Sequence, residues 1–179
     1  MSRIVTSPSS RRFAITSSSS CRILGSSPTV GLDPRIRAEL IDVISALRDR
    51  SSTTILLTTH YLDEAERLCD RLAVIHEGKV VALDSPAALR AQLGEKIVEL
   101  RVHDNPELAL AHLRSLALAG DDAFIVGATI TIPLHERRTA ETVAAIEDAG
   151  VRSAAVTSRE PTLDDVYLRL TGGQLGAAA

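Results

Sequence analysis

A few residues in this chain have the type and position to do chemistry. His60 stands directly after "TTILLTT", Thr53–Thr59, a β-branched and apolar run that reads as a buried, parallel strand. The carboxyl end of such a strand is where α/β sheets bind ligands, and an imidazole there can donate to an anionic oxygen. The plainer alternative is a histidine whose ring is simply satisfied at a strand end. Asp33 precedes Pro34, and that pair starts a helix. The carboxylate accepts a backbone N–H as N-cap, and proline at the first helical position lacks a donor that would be unpaired anyway. His60, Asp63 and Glu64 together suggest a metal site on paper. Acidic residues at a helix start more often answer the helix dipole, so no metal is expected.

Other candidates fall away. The one Gly-Lys pair, Gly78-Lys79, is followed by Val80 and lies in a hairpin, so it cannot complete the phosphate-binding pattern G-x-x-x-x-G-K-[ST]. Cys69 has no catalytic context, and His76, His103, His112 and His135 lie apart without ligand spacing. Arg137-Arg138 reads as a solvated helix start.

The elements that must position His60 and Asp33 follow from the hydrophobic pattern. Ile36, Leu40, Val43, Ile44 and Leu47 give one apolar helical face running to about Arg48. After the Thr53–Thr59 strand, a short helix is expected over Leu62–Cys69. Leu72–Ile75 and Val80–Leu83 flank Glu77-Gly78 as a hairpin, and Ser85-Pro86 caps a helix that Gly94 closes. From Glu95 the pattern restarts. Strand Lys96–Val102 is followed by helix Pro106–Leu118, and two short strands surround Gly127 within Ala123–Ile132. Helix Arg137–Ala149, strand Val151–Thr157 and helix Pro161–Leu170 complete it. That order, βαββαβ with a terminal helix, suits a small sheet domain of the split-βαβ kind.

Composition sets the limits. With 179 residues, 45% hydrophobic and 2% aromatic, the chain can build one ordinary domain or two small ones from Leu, Ile, Val and Ala. No apolar run approaches the roughly 18 residues that span a bilayer. Two cysteines make no disulfide framework, and a net charge of −3 gives no electrostatic case for nucleic acid. Before Asp33 there is no acidic residue, while Arg3, Arg11, Arg12, Arg22 and the run Ser17–Ser20 all fall there. Residues 1–27 are accordingly expected to be a disordered Ser/Arg-rich leader, with a transit peptide the lesser alternative.

Three blocks resemble one family. "PTVGLDPR", Pro28–Arg35, is similar to the D-loop of ABC-transporter ATPases, and "ILLTTHYLDEAERLCDRLAVIHEGKVVALDSP", Ile55–Pro86, to their H-loop. "EPTLDDVYLRLTG", Glu160–Gly172, resembles the end of the daunorubicin/doxorubicin drug-resistance branch. The blocks occur in family order. The resemblance implies an α/β fold in which residues 28–94 are the carboxyl-terminal part of a P-loop (RecA-like) ATPase core. Residues 95–172 would then be an appended α+β regulatory domain, and residues 173–179 a flexible tail. It makes His60 the switch histidine that senses a γ-phosphate, and Asp33 an interface residue coupling two ATPase sites. It implies ATP and Mg²⁺ as cofactors of the intact family. It further implies a membrane permease and a second ATPase subunit as partners, and a peripheral place on the inner face of the plasma membrane.

The departures from the family matter as much. Two acidic residues stand before the Pro-Thr of the family's D-loop, one for Mg²⁺ and one for the attacking water; here those positions hold Ser26 and Ser27. A hydroxyl that is neutral near pH 7 does not replace a carboxylate as base. "LTGGQ", Leu170–Gln174, looks like a signature motif but stands near the chain's end, whereas that motif belongs upstream and opens a helix. The reading is therefore a truncated ATP-binding subunit of a bacterial drug exporter, catalytically incompetent alone. The alternative is a non-enzymatic dimerisation or docking module, which association at micromolar concentration without ATP would favour. An unrelated hydrolase using His60 ranks last, since no nucleophile is presented.

Overall fold

The computed structural model describes residues 12–14, 21–26, 29, 31–50, 54–135 and 138–172. They form a mixed helix-and-sheet chain of two compact units, Met1–Leu89 and Arg90–Ala179.

In the first unit, β1 (Arg12–Ala14) pairs antiparallel with β4 (Leu72–His76), and β4 with β5 (Lys79–Asp84). Separately, β2 (Cys21–Ser26) pairs in parallel with β3 (Thr54–Thr58), Ile23 opposite Leu56 and Ser26 opposite Thr58. Both β1 and β2 lie within the stretch expected to be a leader. A strand's ladder is made by its backbone, so β2 needs no continuous apolar run to pair with β3. The β4–β5 turn places both Glu77 (φ 49°) and Gly78 (φ 76°) in the left-handed region, as a two-residue hairpin turn of the primed kind requires.

Helix α1 (Pro34–Arg50) differs from the single face expected of it. Ile41 and Ile44 are buried, while Ile36, Val43 and Leu47 are 44%, 55% and 55% exposed. The buried line runs through Ile41 and Ile44, to one side of the arc that Ile36, Val43 and Leu47 share. Helix α2 (Leu62–Leu68) follows β3, and Arg48 closes it by donating to the Leu68 carbonyl at 3.1 Å. Helix α3 (Pro86–Ala91) starts where Ser85 Oγ accepts from the Ala88 amide at 3.1 Å.

The second unit holds a four-stranded antiparallel sheet in the order β7 (Phe124–Val126), β8 (Thr129–Leu134), β6 (Lys96–Val102), β9 (Ser153–Arg159). Alternation along β6 and β8 buries Val98, Leu100 and Val102 beside Ile130, Ile132 and Leu134. These pack with Leu110 and Leu113 of α4 (Pro106–Ser115) and Ile146 of α5 (Thr139–Asp148). Asn105 caps α4, its Oδ1 accepting from the Glu107 and Leu108 amides at 2.8 and 3.2 Å. That helix ends three residues before the expected Leu118 because Ala117 turns left-handed (φ 56°). The Leu118 amide then returns to the Leu113 carbonyl at 2.9 Å, closing a Schellman turn with alanine where glycine is usual. At Gly94 (φ 76°) a Cβ would run into the Leu134 carbonyl, so glycine is required there for space as well as conformation.

Candidate functional site

His60 lies at the end of β3, exposed to solvent, between buried Thr59 and half-buried Tyr61. The strand places it and the turn into α2 orients it. Thr59 is 1% exposed, and its Oγ1 does two things at once. It donates to Glu64 Oε2 at 2.7 Å and accepts from the Tyr61 amide at 3.0 Å. Glu64 is fully buried, and its other oxygen lies 3.8 Å from Nε of Arg37, which stacks over the Tyr61 ring at 4.0 Å. Arg37 belongs to α1, so the pair joins the helix headed by Asp33 to the turn that carries His60.

Asp33 acts as an N-cap. Its Oδ1 accepts from the amides of Arg35 and Ile36, both at 3.0 Å, and its carbonyl accepts from the Arg37 amide at 2.9 Å. The carboxylate is exposed. Of the two serines in the acidic positions, Ser26 ends β2 and Ser27 lies outside the described residues.

The triple His60, Asp63 and Glu64 is not gathered into a site. Asp63 is exposed, whereas Glu64 turns inward to Thr59. Among the described residues no group of three His, Cys, Asp or Glu side chains could hold a metal ion. The exposed His60 imidazole is open to an anionic oxygen. At the β3–α2 turn the Tyr61 amide is already taken by Thr59 Oγ1, and the Ala65 amide by the Tyr61 carbonyl at 3.2 Å.

Elsewhere the tail block proves to be structural chemistry. Thr162 and Asp165 form a capping box at the start of α6 (Leu163–Leu170), whose Leu163, Val166 and Tyr167 are buried. Arg159, at the end of β9, donates to both oxygens of Asp165 at 2.7 Å and to Glu99 Oε1 at 2.6 Å. Burial alone would raise the Asp165 carboxyl. The Arg159 guanidinium with the Thr162 amide and hydroxyl outweighs that and holds it below the usual carboxylate range. Its hydrogen bond to Asp165 raises the Arg159 pKa further. "LTGGQ" closes this helix rather than opening one: Leu170 is its last residue, the Thr171 amide bonds back to the Tyr167 carbonyl at 3.0 Å, and residues 173–174 lie outside the described set.

Two of the other histidines have local partners. His135 Nε2 pairs with Asp122 Oδ2 at 2.7 Å, and His112 Nε2 lies 3.3 Å from the Ala149 carbonyl. Burial, with the Asp70 carboxylate nearby, pushes the Cys69 thiol up to about 12. At pH 8 only about one such thiol in ten thousand is thiolate. Iodoacetamide should therefore leave Cys69 unmodified in the native chain and label it on unfolding, as peptide mass spectrometry would read. Rapid native labelling would place that side chain wrongly.

The sequence was also compared with known proteins. No family model matches the chain. It is 39% identical over 150 residues to a daunorubicin resistance ATP-binding protein of Streptomyces coeruleorubidus, covering 81% of this chain and 46% of that protein. A Nod factor export ATP-binding protein of Rhizobium leguminosarum is 37% identical over 152 residues, 83% of this chain and 45% of its own. The linearmycin resistance ATP-binding protein of Bacillus subtilis is 30% identical over 152 residues, 83% of this chain and 49% of its own. The chain thus spans about half the length of the curated relatives it matches, in their carboxyl-terminal portion.

Proposed function

We infer that this chain, a relative of the ATP-binding proteins of ABC drug-resistance exporters, carries the nucleotide-sensing half of such a subunit and an appended domain. The observation that carries the reading is His60, exposed directly after a strand that runs parallel to its neighbour, within a block that matches the family's H-loop. Asp33 caps α1 within the block that resembles the family's D-loop. Its capping role and an interface role are compatible, because its carboxylate is exposed.

The 179 residues sense rather than hold. His60 offers one donor to a terminal phosphate oxygen, while the phosphate loop, the signature motif and the acidic pair would come from sequence of the kind that makes up the other half of the relatives. We assign the second unit to the split-βαβ class on its order of elements and its antiparallel strand order, and give it a regulatory or docking role. The intact protein would couple ATP binding and hydrolysis to drug export through a membrane permease and a second copy of the ATPase. No helix among the described residues is long and apolar enough to cross a membrane. Membrane association would then be peripheral, through the permease.

Joining the amino-terminal portion of a daunorubicin-resistance relative to this chain from Pro28 onward tests the reading. The joined protein should hydrolyse Mg-ATP. A joined protein that folds and binds ATP but does not turn it over would count against the assignment.

A further inference from the structure

The turn that carries His60 is held in an unusual way. Tyr61 is the N-cap of α2 and makes no side-chain capping bond. Glu64 stands at the third helical position, from which a glutamate ordinarily reaches back to the N-cap amide. Here the Thr59 hydroxyl is inserted between them, donating to Glu64 at 2.7 Å and accepting from the Tyr61 amide at 3.0 Å. The amide can only donate, so the hydroxyl accepts from it and turns its own proton to Glu64 Oε2. The residues so tied, 59 and 61, are the two neighbours of His60.

Helix capping by itself does not call for a carboxylate buried to 0% exposure, which carries a heavy desolvation cost. Such a group is retained at the junction of two elements when a counter-ion meets it there. Arg37 does so from α1, with its guanidinium 3.8 Å from Glu64 and over the Tyr61 ring at 4.0 Å. Arg37 is one helical turn beyond Asp33, and its amide bonds to the Asp33 carbonyl.

We propose that Thr59 and Glu64 clamp the H-loop backbone on both sides of His60, and that Arg37 ties this clamp to the helix capped by Asp33. Glu64 is thus a positioning residue for the histidine, and its ion pair with Arg37 couples the turn to α1. The role in catalysis rests on the proposed function; the clamp itself does not.

Two readouts separate them. In the 179-residue chain, the Tyr61 amide should be protected from hydrogen exchange. Thr59→Val should cut that protection about tenfold while the Ala65 amide is unaffected, and Thr59→Ser should restore it. Arg37→Met should weaken the same amide from the other element. In the joined protein, Thr59→Val and Glu64→Leu should each lower kcat about tenfold or more with KM for ATP within about twofold, as misplacement of a catalytic donor does. Tyr61 protection unchanged by Thr59→Val would overturn the clamp. Normal kcat in both variants, where His60→Ala is impaired, would overturn the positioning role. A silent His60→Ala with Tyr61 exchange responding as expected would sink the proposed function and leave the clamp standing.

Discussion

Replacing His60 with alanine in the joined protein should lower ATP turnover by about a hundredfold to a thousandfold, the usual cost of removing one donor aimed at charge that develops in the reaction. The imidazole is exposed and follows a strand whose neighbours hold it in place, so its removal should leave the fold intact. Stability by denaturant should stay within about 0.5 kcal/mol, as for most exposed substitutions. Steady-state kinetics checks both halves of the statement. Loss in kcat with unchanged stability supports a chemical role; equal losses in stability and activity would make His60 structural.

The second large effect is expected at Asp165. Arg159→Met would leave its 5%-exposed carboxylate without the guanidinium that now bonds both oxygens. Breaking one side of a buried pair costs about 3–5 kcal/mol. Arg159 is itself 38% exposed, and solvent screening brings the expectation to about 2–3 kcal/mol. Exchange at the Val98 and Leu100 amides of β6 should quicken by roughly two orders of magnitude. The pH dependence follows from the depressed carboxyl of the folded state. Its stabilisation is fully present above the unfolded value, about 3.9, and is lost as pH falls through the lower folded value. The native chain should therefore lose second-unit stability on acidification below about pH 4, and Asp165→Asn should flatten that part of the curve. Indifference of β6 exchange to Arg159→Met would show that the ion pair is not formed.

What could be read in advance was what local pattern determines. The helix started by Asp33-Pro34, the Glu77-Gly78 hairpin and the strand before His60 each announce themselves through turn chemistry or β-branched runs. In the second unit β8 reads Thr-Ile-Thr-Ile-Pro-Leu, and its Ile130, Ile132 and Leu134 share a core with Val98, Leu100 and Val102 of β6. Other features depended on partners distant in sequence. Nothing local marks Glu64 as buried, because its burial is set by Arg37 and Thr59, and a first-turn acid is ordinarily solvated. The face that α1 buries follows from the same tertiary choice. The early end of α4 came from Ala117 adopting a conformation that alanine rarely signals. β2 escaped notice because its polar neighbours hide a strand held by backbone pairing with β3. One missed feature had a signal: Thr162-x-x-Asp165 before an apolar run is a capping box, readable from spacing alone.

The division between sensing and holding is the centre of this account, and calorimetric titration with Mg-ATP meets it most directly. A single imidazole contact is worth about 1–3 kcal/mol, whereas micromolar affinity needs about 8. The 179-residue chain should give no heat of binding attributable to a micromolar site, while the joined protein should. Micromolar binding by the 179-residue chain itself would contradict the account, because it would mean that these residues build a phosphate site of their own.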